Sequence, residues 1–380
     1  MTSKDRRSVK VAIVQNHLGR DGRSRTIAPI IQLLNERNLI PDVISFSGAD
    51  EERVFREISP SALSFRLVHL KRPAFLIGDL LQETLLPILL RRRLRRYSLV
   101  VGSSTAARSY PDTVQLIRLV YFPLEQVPSY EERYSQLPFR VYGAICRILL
   151  RLTATNTNDR GFWIANSKFT QEVMASTYGL SKERISVVYP PIQLPEGNLQ
   201  TERQPAVASL GGFHPDKRQL EQIEIARRMP HVRFEIMGDK RSPAYFGECQ
   251  RAAETLPNVR LVPNAPWSDI QNVLSSAKVF LHSKHNEHFG MSTVEAVAHG
   301  CIPLVHDSGG QREVVEEPAL RFQRDEDVPA LIDKALSGEL DGFLPILQKH
   351  VQRYSSFTFH ESFKTILNEA LETVQTSAKV

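Results

Sequence analysis

The chain has 380 residues, 42% hydrophobic and 24% charged, enough for two or three domains at about 150 residues each. This composition excludes a disordered chain, a collagen-like repeat and a small disulfide scaffold. The formal charge of +6 is unevenly spread: residues 1–200 hold 28 Lys and Arg against 18 Asp and Glu, a net +10, and residues 201–380 hold 20 against 24, a net −4. The first half therefore suits something anionic, whether a membrane surface, a nucleic acid or a phosphorylated substrate.

The amino terminus, MTSKDRRSVKVAIV, lacks the apolar stretch of a secretory signal. Residues 73–90 are the most apolar candidate for a span, but Asp79, Gln82 and Glu83 interrupt them. A chain that does not cross a membrane is expected, and the cytoplasm is its expected location. Residues 9–15 form a short apolar run, followed by Gly19 and Gly22 and by helix-spaced Ile27, Ile30, Ile31, Leu33 and Leu34. This reads as strand, turn and helix. The pattern recurs at residues 42–47, 65–70, 98–104, 116–122, 162–167 and 185–191. Short buried strands alternating with helices predict an α/β fold, a doubly wound parallel sheet.

A polar stretch after Pro190 and Pro191 reads as a linker, and the alternation then restarts. Strands are expected at 206–212, 233–238, 259–263, 278–283, 302–308 and 320–323, with helices starting near Lys217, Ala244, Ser268, Gly290 and Gly310. The expected domains are 1–198 and 199–356, facing each other across a cleft, with a final helix at 357–380 packing back toward the first. The cysteines Cys146, Cys249 and Cys301 stand far apart without metal-ligand spacing, which predicts a reducing compartment and no structural zinc.

The segment from His282 to Val315 carries the most chemistry. A helix beginning at Gly290 would aim the free N–H groups of Gly290, Met291 and Ser292 at one point, with the positive end of the helix dipole behind them. Such an arrangement binds a phosphate. Glu287 lies just before that helix and Glu295 in its second turn, and a carboxylate accepts paired hydrogen bonds from vicinal hydroxyls. Spacing alone favours Glu295 as an N-terminal helix acid and Glu287 as a solvated loop residue. His282, His285, His288, His299 and His306 do not have zinc spacing, and no DxD-like aspartate pair closes a strand. No bound metal is expected.

Glu287-His288-Phe289-Gly290-Met291-Ser292-Thr293-Val294-Glu295 resembles the E-x7-E donor motif of retaining nucleotide-sugar glycosyltransferases of GT-B architecture, which have two Rossmann-like domains. Residues 165–192, SLGGFHPDKR (209–218), VRLVPNAPWSDI and HDSGGQREVV resemble further segments of that family in the same order, so the likeness runs from Val9 to about Phe363. The wording HxxxNEHFG, with Asn264, Pro266 and His306, is most similar to the branch that extends dolichol-linked oligosaccharides by α-1,2-mannosyl transfer from GDP-mannose.

The resemblance implies that Glu287 meets the hydroxyls of the transferred sugar and that Lys217 meets the departing diphosphate. It also implies that Glu295 meets the ribose, and that Gly19, Gly212, His214, Gly238, Asn264, His288, Phe289, Gly290 and Met291 line the donor site. A nucleotide sugar is the implied co-substrate, no cofactor is implied, and the acceptor is a glycan or polyprenyl-linked sugar. Two departures stand out: Gly212 where many relatives have Arg, and Tyr121 where the family often has His.

Residues 85–98 and 139–152 join arginines (Arg91, Arg92, Arg93, Arg95 and Arg96; Arg140, Arg147 and Arg151) to Leu and Ile. Each reads either as a packing helix with a basic face or as a peripheral contact with an anionic membrane. No nucleic acid is expected, because the basic residues lack aromatic interleaving and a recognised module. A sugar-nucleotide epimerase or hydrolase on the same fold, and a non-catalytic glycosyltransferase-like subunit, stay open beside the transferase.

Overall fold

The structure, a computed structural model, describes residues 9–19, 21–57, 59, 62–73, 78–102, 110–131, 134, 136–152, 161–195 and 202–377. Two compact units divide the chain. The first takes in the described residues up to Ser129, from Tyr134 to Pro191 and from Ser356 onward; the second is essentially Ile192–Ser355.

Seven strands build the first sheet: β1 (Val11–Val14), β2 (Asp42–Ser45), β3 (Arg66–His69), β4 (Leu99–Gly102), β5 (Gln115–Val120), β6 (Phe162–Ala165) and β7 (Ile185–Val187). Their order is β3-β2-β1-β4-β5-β6-β7, and all neighbours are parallel. Alternate residues of each strand face opposite ways, so Val11 and Ile13 join one apolar cluster while Ala12 and Val14 join another. A strand buried on both faces has no polar side, which is why the central strands β1 and β4, buried at every position, read as continuous apolar runs. The helix Ser356–Ser377 packs Phe359, Phe363 and Leu367 into the cluster that holds Ile13 and Ile117. Helix ends are fixed locally: Asp21 accepts from Ser24 N–H at 2.8 Å, Ser167 accepts from Thr170 N–H at 3.0 Å, and Gly179 closes a helix in the left-handed region at φ 65°.

The second sheet has six parallel strands: β8 (Gln204–Leu210), β9 (Arg233–Gly238), β10 (Val259–Pro263), β11 (Ala277–His282), β12 (Ile302–His306) and β13 (Arg321–Phe322). Their order is β10-β9-β8-β11-β12-β13. The chain winds outward from β8 to β10, then crosses to β11 and winds the other way, so the order reverses between β8 and β11. Loops leaving the carboxyl ends of strands at such a reversal form a crevice where α/β sheets bind ligands.

The helix expected to begin near Lys217 begins later. Pro215–Lys217 form one 3-10 turn, Arg218 is left-handed at φ 57°, and the helix runs over Gln219–Arg228. Proline suits the opening of such a turn because its missing N–H would have no partner there. Among the described residues, no helix is long and apolar enough to cross a membrane, and the three cysteines are buried and unpaired with one another.

Candidate donor-binding site at the strand reversal of the second unit

The loop leaving β8 carries Gly212, His214 and Lys217, and the loop leaving β11 carries Lys284 to Gly290. Because β8 and β11 are neighbours, residues 70 positions apart meet: Lys217 Nζ donates to Glu287 Oε2 at 2.5 Å. His282 Nε2 lies 3.4 Å from the same oxygen, and Lys284 Nζ lies 3.7 Å from Oε1, which also accepts the His288 N–H at 3.0 Å. Burial pushes the Glu287 carboxyl up, but the two ammonium groups and His282 outweigh it and hold the group well below the usual carboxylate range. Burial pulls the Lys217 ammonium down, against the pull of Glu287, and burial lowers His282 below the usual imidazole range.

The helix Met291–Ala298 starts directly beyond, with Gly290 at φ 111° as its cap. Its ladder begins with Thr293 N–H donating to Gly290 O at 3.0 Å, so the N–H groups of Gly290, Met291 and Ser292 lie ahead of the ladder, where a helix binds anions. The Gln311 amide fills the space a side chain at Gly290 would need, 2.7 Å from an ideal Cβ. Gly309 and Gly310 press on the main chain of this loop, where a Cβ on either would lie 2.5 Å from the carbonyl oxygen of Glu287 or His288. Gly310 N–H donates to Glu287 O at 2.7 Å, and Asn286 N–H donates to Ser308 Oγ at 2.7 Å. The glycine turn after β12 thus clamps the loop that presents Glu287. His306 packs against His285 with tilted rings whose centres are 3.7 Å apart, and burial first and His285 second lower its pKa to about 4.

The other expected residues divide into groups. Gly212 and Gly211 present their carbonyls to the Gln219 amide at 3.1 and 3.2 Å, and the Lys217 side chain runs along Gly211. His214 caps the 3-10 turn, with Nδ1 3.1 Å from Asp216 Oδ2. Gly238 touches this loop, since a Cβ there would lie 1.9 Å from Gly211 O. Asn264, left-handed at φ 54°, donates its N–H to Gly238 O at 2.9 Å and accepts from Lys240 N–H at 3.0 Å, so it pins the chain leaving β9. Glu295 is buried. The Phe289 ring is also buried, edge-on to Tyr354 at 5.0 Å, which makes its side chain a packing anchor and leaves only its main chain to face a ligand.

Gly19 and Tyr121 belong to the first unit. Gly19 N–H donates to Ser24 Oγ at 2.9 Å, and Gly22 is the first residue of the helix capped by Asp21. Tyr121 is buried, its hydroxyl donates to Arg23 O at 3.3 Å, and the Arg23 guanidinium lies over its ring. Arg20 lies outside the described residues, as does the side chain of Arg151. Lys284, Gln311 and the placement of His282 against Glu287 were missed in sequence. Lys284 follows a strand by two residues, a weak signal in a chain with 48 Lys and Arg.

Residues 193–350 match the family model described as Glycosyl transferases group 1. The matched residues include every expected donor residue except Gly19. The chain is 29% identical over 174 residues to the GDP-Man:Man(3)GlcNAc(2)-PP-Dol alpha-1,2-mannosyltransferase of Caenorhabditis elegans, covering 39% of this chain and 36% of that protein. It is 30% identical over 210 residues to the enzyme of the same name from Xenopus tropicalis, covering 48% and 43%. The chain spans less than half the length of the curated relatives it matches. A glycosyltransferase from Rickettsia africae superposes with a TM-score of 0.66 over 96% of this chain and 99% of its own, at 15% identity. The two parallel-sheet units have the GT-B fold.

Proposed function

We propose that the protein transfers a hexose with retention from a nucleotide sugar, mannose from GDP-mannose, to a hydroxyl of a lipid-linked glycan. The Lys217–Glu287 ion pair at the strand reversal, beside the helix start at Gly290, carries this reading. A cation and a set of main-chain N–H groups suit a diphosphate, and an ionised carboxylate suits sugar hydroxyls. The bond between the anomeric carbon and the diphosphate oxygen breaks, the acceptor oxygen bonds that carbon on the same face, and the leaving diphosphate takes the acceptor proton. Lys217 and the helix N-terminus meet the developing charge, in the place a metal ion takes in other transferases. Gly212, His214, Gly238, Asn264 and the main chain of His288, Phe289 and Met291 shape the donor pocket, and Glu295 the ribose contact. The donor would thus bind to the second unit and the acceptor to the first.

The relatives are named for GDP-mannose and a dolichol-linked acceptor, and an acceptor with a polyprenyl chain requires approach to a membrane surface. The helix Leu137–Leu152 suits that approach: Leu137, Phe139, Val141, Ile145 and Ile148 are exposed, and Arg140 and Arg147 line a cavity of about 420 Å³ with Pro128 and Tyr134. Apolar side chains between arginines lie favourably on an anionic interface.

Ligand-dependent melting with GDP, GDP-mannose, UDP-glucose and UDP-GlcNAc tests the donor. GDP and GDP-mannose at a hundred times their dissociation constant would stabilise the fold by about 2.7 kcal/mol, and the UDP compounds would not. Unchanged mannosyl transfer in Glu287→Ala and Lys217→Ala would sink the assigned roles. A second reading, a glycosyltransferase-like subunit without turnover, draws on Tyr121, which is tied to Arg23 at the position where the family often has a histidine. No shift with any nucleotide would favour it.

A further inference from the structure

The two ammonium groups at Glu287 are not equivalent. Lys217 lies along the loop after β8, and its side chain keeps 30% of its exposure; the Lys284 side chain keeps 10%. Of the two ammonium groups, Lys217 is therefore the more accessible to a ligand arriving from solvent. The pairing is divided in the same way: Lys217 and His282 take Oε2, and Lys284 and the His288 N–H take Oε1. A buried carboxylate stripped of all its cations protonates or moves. If Lys217 were the sole cation, a diphosphate could recruit it only by leaving Glu287 uncompensated. His282 does not fill that place, since its burial favours the neutral imidazole.

We propose that Lys284 is the resident counter-ion of Glu287, a positioning residue that holds the carboxylate ionised and oriented while Lys217 exchanges from Glu287 to the diphosphate of the incoming nucleotide sugar. The proposal rests on the donor-site reading above. With Lys284 in place, two cations serve one carboxylate, and the second is available to a ligand anion. Without it, carboxylate and diphosphate compete for one ammonium group. Lys284 thus acts on phosphate affinity through Glu287 rather than by touching the ligand.

Calorimetric titration with inorganic pyrophosphate and with GDP on the full chain tests this, in wild type, Lys284→Met, Lys284→Arg, Glu287→Gln and the double variant Lys284→Met/Glu287→Gln. Binding is expected to weaken about 10-fold in Lys284→Met, to recover in Lys284→Arg, and to return within about 2-fold of Glu287→Gln in the double variant, where no carboxylate competes for Lys217. Recovery on removing a second group is not what loss of packing produces, and the double variant, with no unpaired carboxylate, keeps the test available if Lys284→Met fails to fold. Wild-type affinity in Lys284→Met, or a double variant as weak as Lys284→Met, overturns the proposal. The expected pattern with pyrophosphate, in a protein that binds no nucleotide sugar, supports the ion exchange and refutes the donor assignment. A wild type that binds neither probe overturns both.

Discussion

Gly238 ends β9 where the chain meets the loop that carries Lys217, and alanine there has no room. Its Cβ would lie 1.9 Å from Gly211 O, 2.5 Å from the Gly211 carbonyl carbon and 3.1 Å from Gly212 Cα, all main-chain atoms. Ordinary contact starts at 3.4 Å, so two backbones must part by about 1.5 Å, far up the repulsive wall of the contact potential. Both are held in place: Gly211 N–H donates to Met237 O at 2.9 Å, and on its other side Gly238 O accepts from Asn264 N–H at 2.9 Å. Overpacking of this kind costs about 1–3 kcal/mol, and at roughly 2–4 °C per kcal/mol for a domain of this size the melting temperature of Gly238→Ala falls by about 2–12 °C. Gly342→Ala is the control, since a Cβ there meets nothing within 4 Å. The shift should also move Lys217 and weaken nucleotide binding more than the stability loss accounts for, because a misplacement of about 1 Å at a reacting group can cost a hundredfold. Differential scanning calorimetry of the two variants reads the first effect and GDP titration the second. Gly238→Ala melting together with Gly342→Ala would refute the steric argument.

Two further outcomes follow from the geometry. The Glu287 carboxyl is held below its unfolded value by Lys217, Lys284 and His282 against the opposing effect of burial, so its contribution is complete above the ordinary carboxylate range near pH 4.3 and is lost as pH falls through the lower folded value. Wild type should therefore lose its melting-temperature advantage over Glu287→Gln as pH drops below about 4.5, and a gap that stays constant from pH 7 to pH 3 would count against the ion-pair account. Co-sedimentation with vesicles of anionic lipid should fall at least several-fold in Ile145→Ser/Ile148→Ser, since both side chains are exposed and each apolar side chain inserted contributes on the order of 1 kcal/mol; equal sedimentation would remove the helix Leu137–Leu152 from the acceptor-side reading.

The strands were legible because burial on two faces leaves them no polar alternation. VAIV at β1 and LVVG at β4 are buried at every position, and an apolar run of four between turns has few other uses. The basic helices were less legible, since 85–98 and 139–152 read alike in sequence yet differ in space. Leu86, Leu90 and Leu94 of the helix Asp79–Leu94 enter the core of the first unit, leaving Leu89 exposed, whereas the helix Leu137–Leu152 exposes five large apolar side chains. Sequence gives the composition of a helix face, and the packing of neighbours decides which face remains open. Lys217 shows a similar limit: its neighbourhood was readable, but the turn that places it depends on Arg218 adopting a left-handed conformation, which side-chain chemistry does not announce.

The chemistry of the site was readable in one loop and hidden between two. Glu287, Gly290 and Glu295 lie close in sequence, so a helix start flanked by carboxylates could be inferred from their order. The partner that gives Glu287 its charge state comes from the loop 70 residues earlier, and only the strand order brings β8 beside β11. Lys284 is three residues from Glu287 in sequence, but that separation has a fixed meaning on a helix and none in a loop. Its position against Oε1 depends on the bends at Asn286, left-handed at φ 50°, and at Gly309, left-handed at φ 64°, which fold the loop onto itself. These bends put two ammonium groups on opposite oxygens of one carboxylate, and that division, rather than the motif that contains Glu287, leaves a cation available for a second anion.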